Sequence, residues 1–234
     1  MSLATYSKKR NFKQTPEPGA GVTRGKGANT FVIQRHNATR LHYDFRLEVN
    51  GVLKSWAIPK GPSLNPTDKR LAVMVEDHPL SYASFKGTIP EGNYGAGIVE
   101  IWDRGTYVPE EMEKISDKEI ERHINKGMLK FSLKGKKIKG SFALVRIKGS
   151  DSKNWLLIKH RDEYAVDDPY DSEKNTPKNS PINKWLSSNK KTTAVKKPRT
   201  TSAASKKVAA VAKKGTITSS SSKKTGATLV KKKR

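Results

Sequence analysis

The sequence predicts a mostly β protein, an antiparallel barrel or sandwich with short flanking helices, followed by a basic tail without fixed structure. Three observations carry this reading: a series of short apolar runs separated by turn residues, a single clear helical period, and a late shift in composition. With one evident helix there is no β-α-β rhythm, so a parallel sheet is not expected.

The first 29 residues, punctuated by Pro16, Pro18, Gly19, Gly21, Gly25 and Gly27, have neither a strand nor a helix period. They read as a lead segment that packs over the rest. A domain over residues 30–173 opens with FVIQRH, turns at NATR and continues as LHYDFRLEV. In this second strand His42, Asp44, Arg46 and Glu48 alternate with Tyr43, Phe45, Leu47 and Val49. Period two puts the sets on opposite faces, one entering a core and the other presenting a line of ionisable groups. Asn50-Gly51 is the favoured type I′ hairpin pair and returns the chain as VLKSWAI, before Pro59 and Pro62 force a loop. Further strands are expected at 71–76, 97–102, 128–133, 142–148 and 155–160. The helix is expected over 116–126: Ser116 and Glu119 form a capping box, Ile120 and Ile124 an apolar pair, and Gly127 stands where a left-handed C-cap belongs.

Every Asp and Glu lies at or before Glu173. The first 173 residues hold 22 acidic against 29 basic residues, a balance of +7, while 18 Lys and Arg stand unopposed in 174–234. The formal charge of +25 is therefore mostly a property of the tail. Such a tail follows a polyanion by neutralising phosphates and releasing counterions, which makes nucleic acid the expected partner. SPINKWL at 180–186 offers one Trp that could dock on the domain; from Ser187 onward Lys, Ala, Ser and Thr dominate without an aromatic residue, and disorder is expected. There is no Cys, which excludes disulfides and thiolate metal sites. No stretch approaches the roughly 20 apolar residues that cross a bilayer, so a soluble cytoplasmic, nucleoid-associated monomer is expected.

Three of the five His residues, His36, His42 and His78, fall near the strongest strand signal. His42 and Asp44 face the same way with Cα atoms about 7 Å apart, and His36 stands across a short turn. Imidazoles with a carboxylate make an N/O site suited to Mn²⁺, Zn²⁺ or Fe²⁺. A row of buried ionisable groups is expensive to desolvate unless something binds it. Arg46 adds a five-donor fork suited to phosphoryl oxygens, Arg70 precedes the strand that leads to His78, and the Tyr82 hydroxyl is placed to reach the same cleft. His42 has the pKa range of an acid for a leaving oxygen or of a phosphate donor. With no Cys and no G-x-S-x-G elbow, a metal-activated water is the economical nucleophile. PEGNYGAG lacks the Lys-Ser/Thr of a phosphate loop and reads as a barrel turn that brings Glu91 or Tyr94 towards the cleft. The ligand types alone also fit a two-His-one-carboxylate iron oxygenase, but the clustered arginines favour phosphate.

The motifs H-x5-H-x-D-x-R-L-E, EDHPL-x-Y and PEGNYGAG-x-V-x-I-W-D-x-G, over about residues 30–107, closely resemble the 3′-phosphoesterase domain of bacterial LigD repair ligases and its standalone relatives. YSKKRNFKQTPEP resembles that family's N-terminal segment. The resemblance implies a small β-barrel with short helices and a metal, typically Mn²⁺, in a crescent-shaped groove. It implies His36, Asp44 and His78 as ligands, with His42, Arg46, Arg70 and Tyr82 holding the scissile phosphate and Arg10 and Glu17 near the groove. The implied chemistry removes a 3′-terminal ribonucleoside and then a 3′-phosphate from a DNA or RNA-containing primer-template, leaving a 3′-OH for a separate ligase and other end-joining factors. Asn11 departs from the Asp usual in the family, and a noncatalytic nucleic-acid-binding barrel is the competing reading that this departure favours.

Overall fold

The computed structural model describes residues 2–21 and 29–193. Among the described residues nine strands pair antiparallel throughout: β1 (Thr30–Asn37), β2 (Leu41–Val49), β3 (Val52–Ile58), β4 (Lys69–Pro79), β5 (Gly87–Ile89), β6 (Gly97–Pro109), β7 (Met128–Lys134), β8 (Lys139–Arg146) and β9 (Asn154–Lys159). The order β1-β2-β3-β4-β9-β8-β7-β6 closes through a β1–β6 pairing into an eight-stranded barrel, not a sandwich. One edge of the 13-residue β6 takes β1, and the other takes β5 at its start and β7 at its end. The β2–β3 hairpin turns at Asn50 (φ 52°) and Gly51 (φ 76°), the left-handed pair that a type I′ turn needs. Helix α2 (Asp117–Lys126) has Ser116 Oγ accepting from the Glu119 amide and Gly127 at φ 92°, as its sequence predicts.

The alternation of β2 sorts its side chains as expected. Tyr43, Phe45, Leu47 and Val49 enter the barrel core with Phe31, Trp56, Phe131, Phe142 and Trp155. His42, Asp44 and Arg46 therefore stand on the outer wall. A second apolar cluster, Tyr6, Leu53, Tyr82, Phe85, Ile89 and Val99, builds a shelf on that wall. Its members come from α1 (Leu3–Lys8), the 3-10 turn Leu80–Ser84 with its C-cap Phe85, β5 and the adjoining strands.

A register shift in the β3–β4 pairing decides what faces this shelf. Trp56 pairs with Met74 and Ser55 with Val75, but Leu53 pairs with His78, so β4 carries one extra residue between Val75 and His78. Before the bulge, the even-numbered residues of β4 share the lumen face with Ala72; after it, Glu76 and His78 join Val75 on the outer wall.

Two boundaries differ from expectation. The lead segment contains a helix, α1, whose Tyr6 is fully buried. Residues 174–193, assigned from sequence to the tail, include the end of the 3-10 turn Ser172–Asn175 and all of α3 (Pro181–Thr193). Their order has an electrostatic cause. Arg35 is fully buried at the end of the barrel and needs partners, which it finds in Glu100, Glu173 and Asn183. Ser180 Oγ caps the Asn183 amide, Pro181 opens α3, and Ile182 is fully buried, whereas Trp185 stays exposed. The expected disorder of 194–234 lies outside the described residues. Among the described residues no helix is long and apolar enough to cross a membrane.

Candidate functional site

Asp44 is the centre of the outer wall. His36 Nδ1 lies 3.6 Å from its Oδ2 and His42 Nε2 lies 3.6 Å from its Oδ1. These separations exceed hydrogen-bond length yet fall within twice the ~2.1 Å of an N/O–metal bond. The other nitrogen of each ring is already engaged: His36 Nε2 is 2.9 Å from the Gly95 carbonyl and His42 Nδ1 is 2.9 Å from the Arg40 carbonyl. A carbonyl only accepts, so each ring donates there and turns its other nitrogen towards Asp44. That orientation, with the second nitrogen tied to the backbone, is what metal-binding imidazoles require. One donor atom from each of the three residues lies within 4.8 Å of the others. Burial opposes ionisation of Asp44, but the Arg46 guanidinium, 3.0 Å away, and the two imidazoles hold its carboxyl well below the usual carboxylate range. Despite its own burial, His42 is shifted upward by the Asp44 carboxylate. The donor set fits a borderline-soft divalent cation.

Two guanidiniums border this centre. Arg46 is held by Gln34 Oε1 at 2.7 Å and stacks over the Tyr82 ring at 4.9 Å. Arg10, from the lead segment, is fixed by Glu17 at 2.8 Å, by Glu76 at 3.1 Å and against the Tyr6 ring at 3.8 Å. His78 stands between them. Its Nδ1 is 2.8 Å from the Glu76 carbonyl, so that nitrogen donates, and Nε2 accepts from Arg10 Nη2 at 3.2 Å. Burial, then Arg46 and Arg10, push His78 well below the usual histidine range and keep it neutral.

The donor cluster of this geometry differs from the expected ligand set. His42 joins His36 and Asp44, while His78 lies outside the cluster, with Nε2 3.2 Å from Arg10 Nη2 and its ring among cations. Arg70 also differs. It sits on β4 before the bulge, with lumen parity, bonded to Asp68 Oδ2 and the Tyr170 carbonyl, and it does not line the cleft. Sequence parity alone puts Arg70 and His78 on one face; the inserted residue reverses this. Tyr82 lines the cleft with its ring while its hydroxyl donates to Glu17 at 2.9 Å. Asn11 caps a local turn through its side-chain oxygen and the Lys13 amide, outside the cleft, and Glu91 is likewise absent from the lining. Gln34, Glu76 and Lys9 were not legible as site residues, since each acts by holding an arginine or a carboxylate that sequence separation hides.

The profile of the DNA Ligase D 3′-phosphoesterase domain matches residues 34–146. The chain carries a LigD-type 3′-phosphoesterase domain. The matched span includes His36, His42, Asp44, Arg46, His78 and Tyr82, while Arg10 and Glu17 precede it. The multifunctional non-homologous end joining protein LigD of Pseudomonas aeruginosa is 49% identical over 167 residues, 70% of this chain and 19% of that protein. Its namesake in Mycolicibacterium smegmatis is 44% identical over 168 residues, 69% of this chain and 21% of that protein. The multifunctional non-homologous end joining DNA repair protein LigD of Mycobacterium tuberculosis is 48% identical over 156 residues, 66% of this chain and 19% of that protein. The chain thus spans about a fifth of the length of these relatives. For a LigD-type phosphoesterase the buried His36–His42–Asp44 cluster is suited to metal-dependent catalysis.

Proposed function

We propose that this chain hydrolyses phosphate esters at 3′ ends of DNA or RNA-containing primer-templates, removing a terminal ribonucleoside and then the 3′-phosphate, with Mn²⁺ as its cation. The observation that carries the reading is the shared wall: the metal-donor cluster, joined to Arg46 through Asp44, and the fixed guanidinium of Arg10 line one cleft. The cleft has a volume of about 240 Å³. That is below the ~300 Å³ lower end of enclosed small-molecule sites, which suits entry of a strand terminus while the rest of the substrate stays outside.

His36, His42 and Asp44 would hold the cation, which supplies Lewis acidity and lowers the pKa of a water. Arg46 and Arg10 bind phosphoryl oxygens and offset the charge that spreads over them in the transition state. Glu17 and Glu76 orient Arg10; Gln34 and Asp44 orient Arg46. Neutral His78 keeps Arg10 Nη2 directed into the cleft and is a positioning residue. The Tyr82 ring and the apolar shelf exclude water behind the guanidiniums. The competing binding-only reading drew on Asn11, which acts here as a turn cap and has no part in the cleft.

Incubation of a 3′-phosphorylated primer-template with the full chain and Mn²⁺ tests this by electrophoretic mobility. Conversion to a 3′-OH end, lost in His42→Ala (H42A) and in Arg46→Gln, is the expected result; binding without end processing overturns it. The sealing step belongs, on this reading, to a separate ligase, and the place of action is the cytoplasm. The 18 unopposed basic residues after Glu173 raise the local concentration of the enzyme on DNA. Affinity of the full chain should fall more steeply with salt than that of a chain ending at Thr193; equal slopes would refute the tethering role.

A further inference from the structure

Tyr94 is a large aromatic side chain left 47% exposed at the edge of the cleft that it lines with Arg10, His36 and His78. Its position is imposed from two sides. The turn around it needs Gly92, Gly95 and Gly97 at φ of 83°, 77° and 140°, a path open to few other residues. Lys9 Nζ donates to Tyr94 Oη at 3.1 Å and lies 4.4 Å from the ring centroid, while the same ammonium is held by Glu76 at 2.9 Å. Arg10 Cζ is 5.5 Å from the ring. A ring clamped partly in solvent leaves apolar surface hydrated. Its neighbour Gly95 supplies the carbonyl that orients His36, so the ring is in register with the metal-donor cluster.

A planar π surface fixed beside a guanidinium that takes a terminal phosphate matches one ligand chemistry: the base of the nucleotide bearing that phosphate. We infer that Tyr94 is a stacking platform for the 3′-terminal nucleobase, so that the cleft recognises a nucleoside together with its phosphate. The inference rests on the phosphoesterase reading. Stacking accepts every base, since each has a π face, and on the scale of aromatic–base contacts it changes affinity by about 5- to 150-fold.

Two strands that differ only in carrying a normal or an abasic 3′-terminal residue, each 3′-phosphorylated, separate the possibilities with the full chain and Mn²⁺. The wild type should favour the base-bearing end in kcat/KM by about 5- to 150-fold. Tyr94→Leu should bring that ratio close to one, and Tyr94→Trp should keep it. A ratio unchanged in Tyr94→Leu, or no preference in the wild type, overturns the inference. A terminal 2-aminopurine gives a readout without turnover: its fluorescence should be quenched on binding the wild type and not Tyr94→Leu. If phosphate is released from neither strand, the phosphoesterase reading fails, and quenching still decides the stacking; quenching that persists in Tyr94→Leu refutes it.

Discussion

The two faces of β2 show how one strand serves two unlike environments. Inward, Phe45 stacks on Phe131 at 5.8 Å and meets Phe31 and Trp56. Outward, its neighbours Asp44 and Arg46 pair at 3.0 Å in a wall of imidazoles and guanidiniums. The inner face is stabilised by apolar burial, and any atoms removed there leave a cavity. The outer face holds groups whose desolvation cost is offset only by their mutual charge and by what they bind. Stability and chemistry should therefore separate between adjacent residues.

The largest effect tests the inner side. Phe45→Ala should cost about 3–5 kcal/mol in denaturant unfolding, the range for deleting a buried aromatic ring. His42→Ala is the outer counterpart. Its ring is partly open to solvent, so stability should change by no more than about 1 kcal/mol, while phosphate release should fall by about 100-fold or more. Parallel losses of stability and activity in both variants would break the contrast between the faces.

Much of this contrast was legible from period two. LHYDFRLEV alternates without interruption, and the Asn50-Gly51 turn and the capped α2 follow from local chemistry that no tertiary contact overrides. The metal-donor cluster was legible only in part, because His42 and Asp44 are two apart on one strand whereas the place of His78 depends on a bulge. Nothing in LAVMVEDHP signals the extra residue, since its apolar run looks continuous; only pairing against β3 reveals it. The order of residues 174–193 was hidden for a related reason. It follows from the charge of Arg35, which lies 138 residues before its partner Glu173, and no local period encodes that pairing.

Gly95 links the two kinds of information, being a local turn residue with a role in the site. At φ 77° any L side chain is strained by about 1–2 kcal/mol, and relief of that strain moves the carbonyl that holds His36 Nε2. Gly95→Ala should weaken metal affinity by about 10-fold, the lower end for loss of a group that orients a ligand. Calorimetric titration with Mn²⁺ measures it, and an unchanged affinity would mean that the carbonyl does not set the ring.

The smallest effect concerns the contact between the lead segment and the barrel. Glu76 joins them by accepting from Lys9 and Arg10, and although burial opposes its ionisation, these cations hold its carboxyl below the usual range. A carboxyl depressed in the folded state stabilises above its unfolded pKa, near 4, and that contribution disappears as pH falls through the folded value. Neutral His78, also depressed, destabilises the fold on acidification from about pH 6.5 downward, but it does so in the wild type and in Glu76→Gln alike. Their difference therefore isolates Glu76. The variant should melt about 2–4 °C lower at pH 7, equivalent to about 1 kcal/mol, and the gap should close below pH 4. Melting curves that stay parallel down to acid would mean that the charge of Glu76 does not hold the lead segment, and that Arg10 keeps its place through Glu17, Tyr6 and His78.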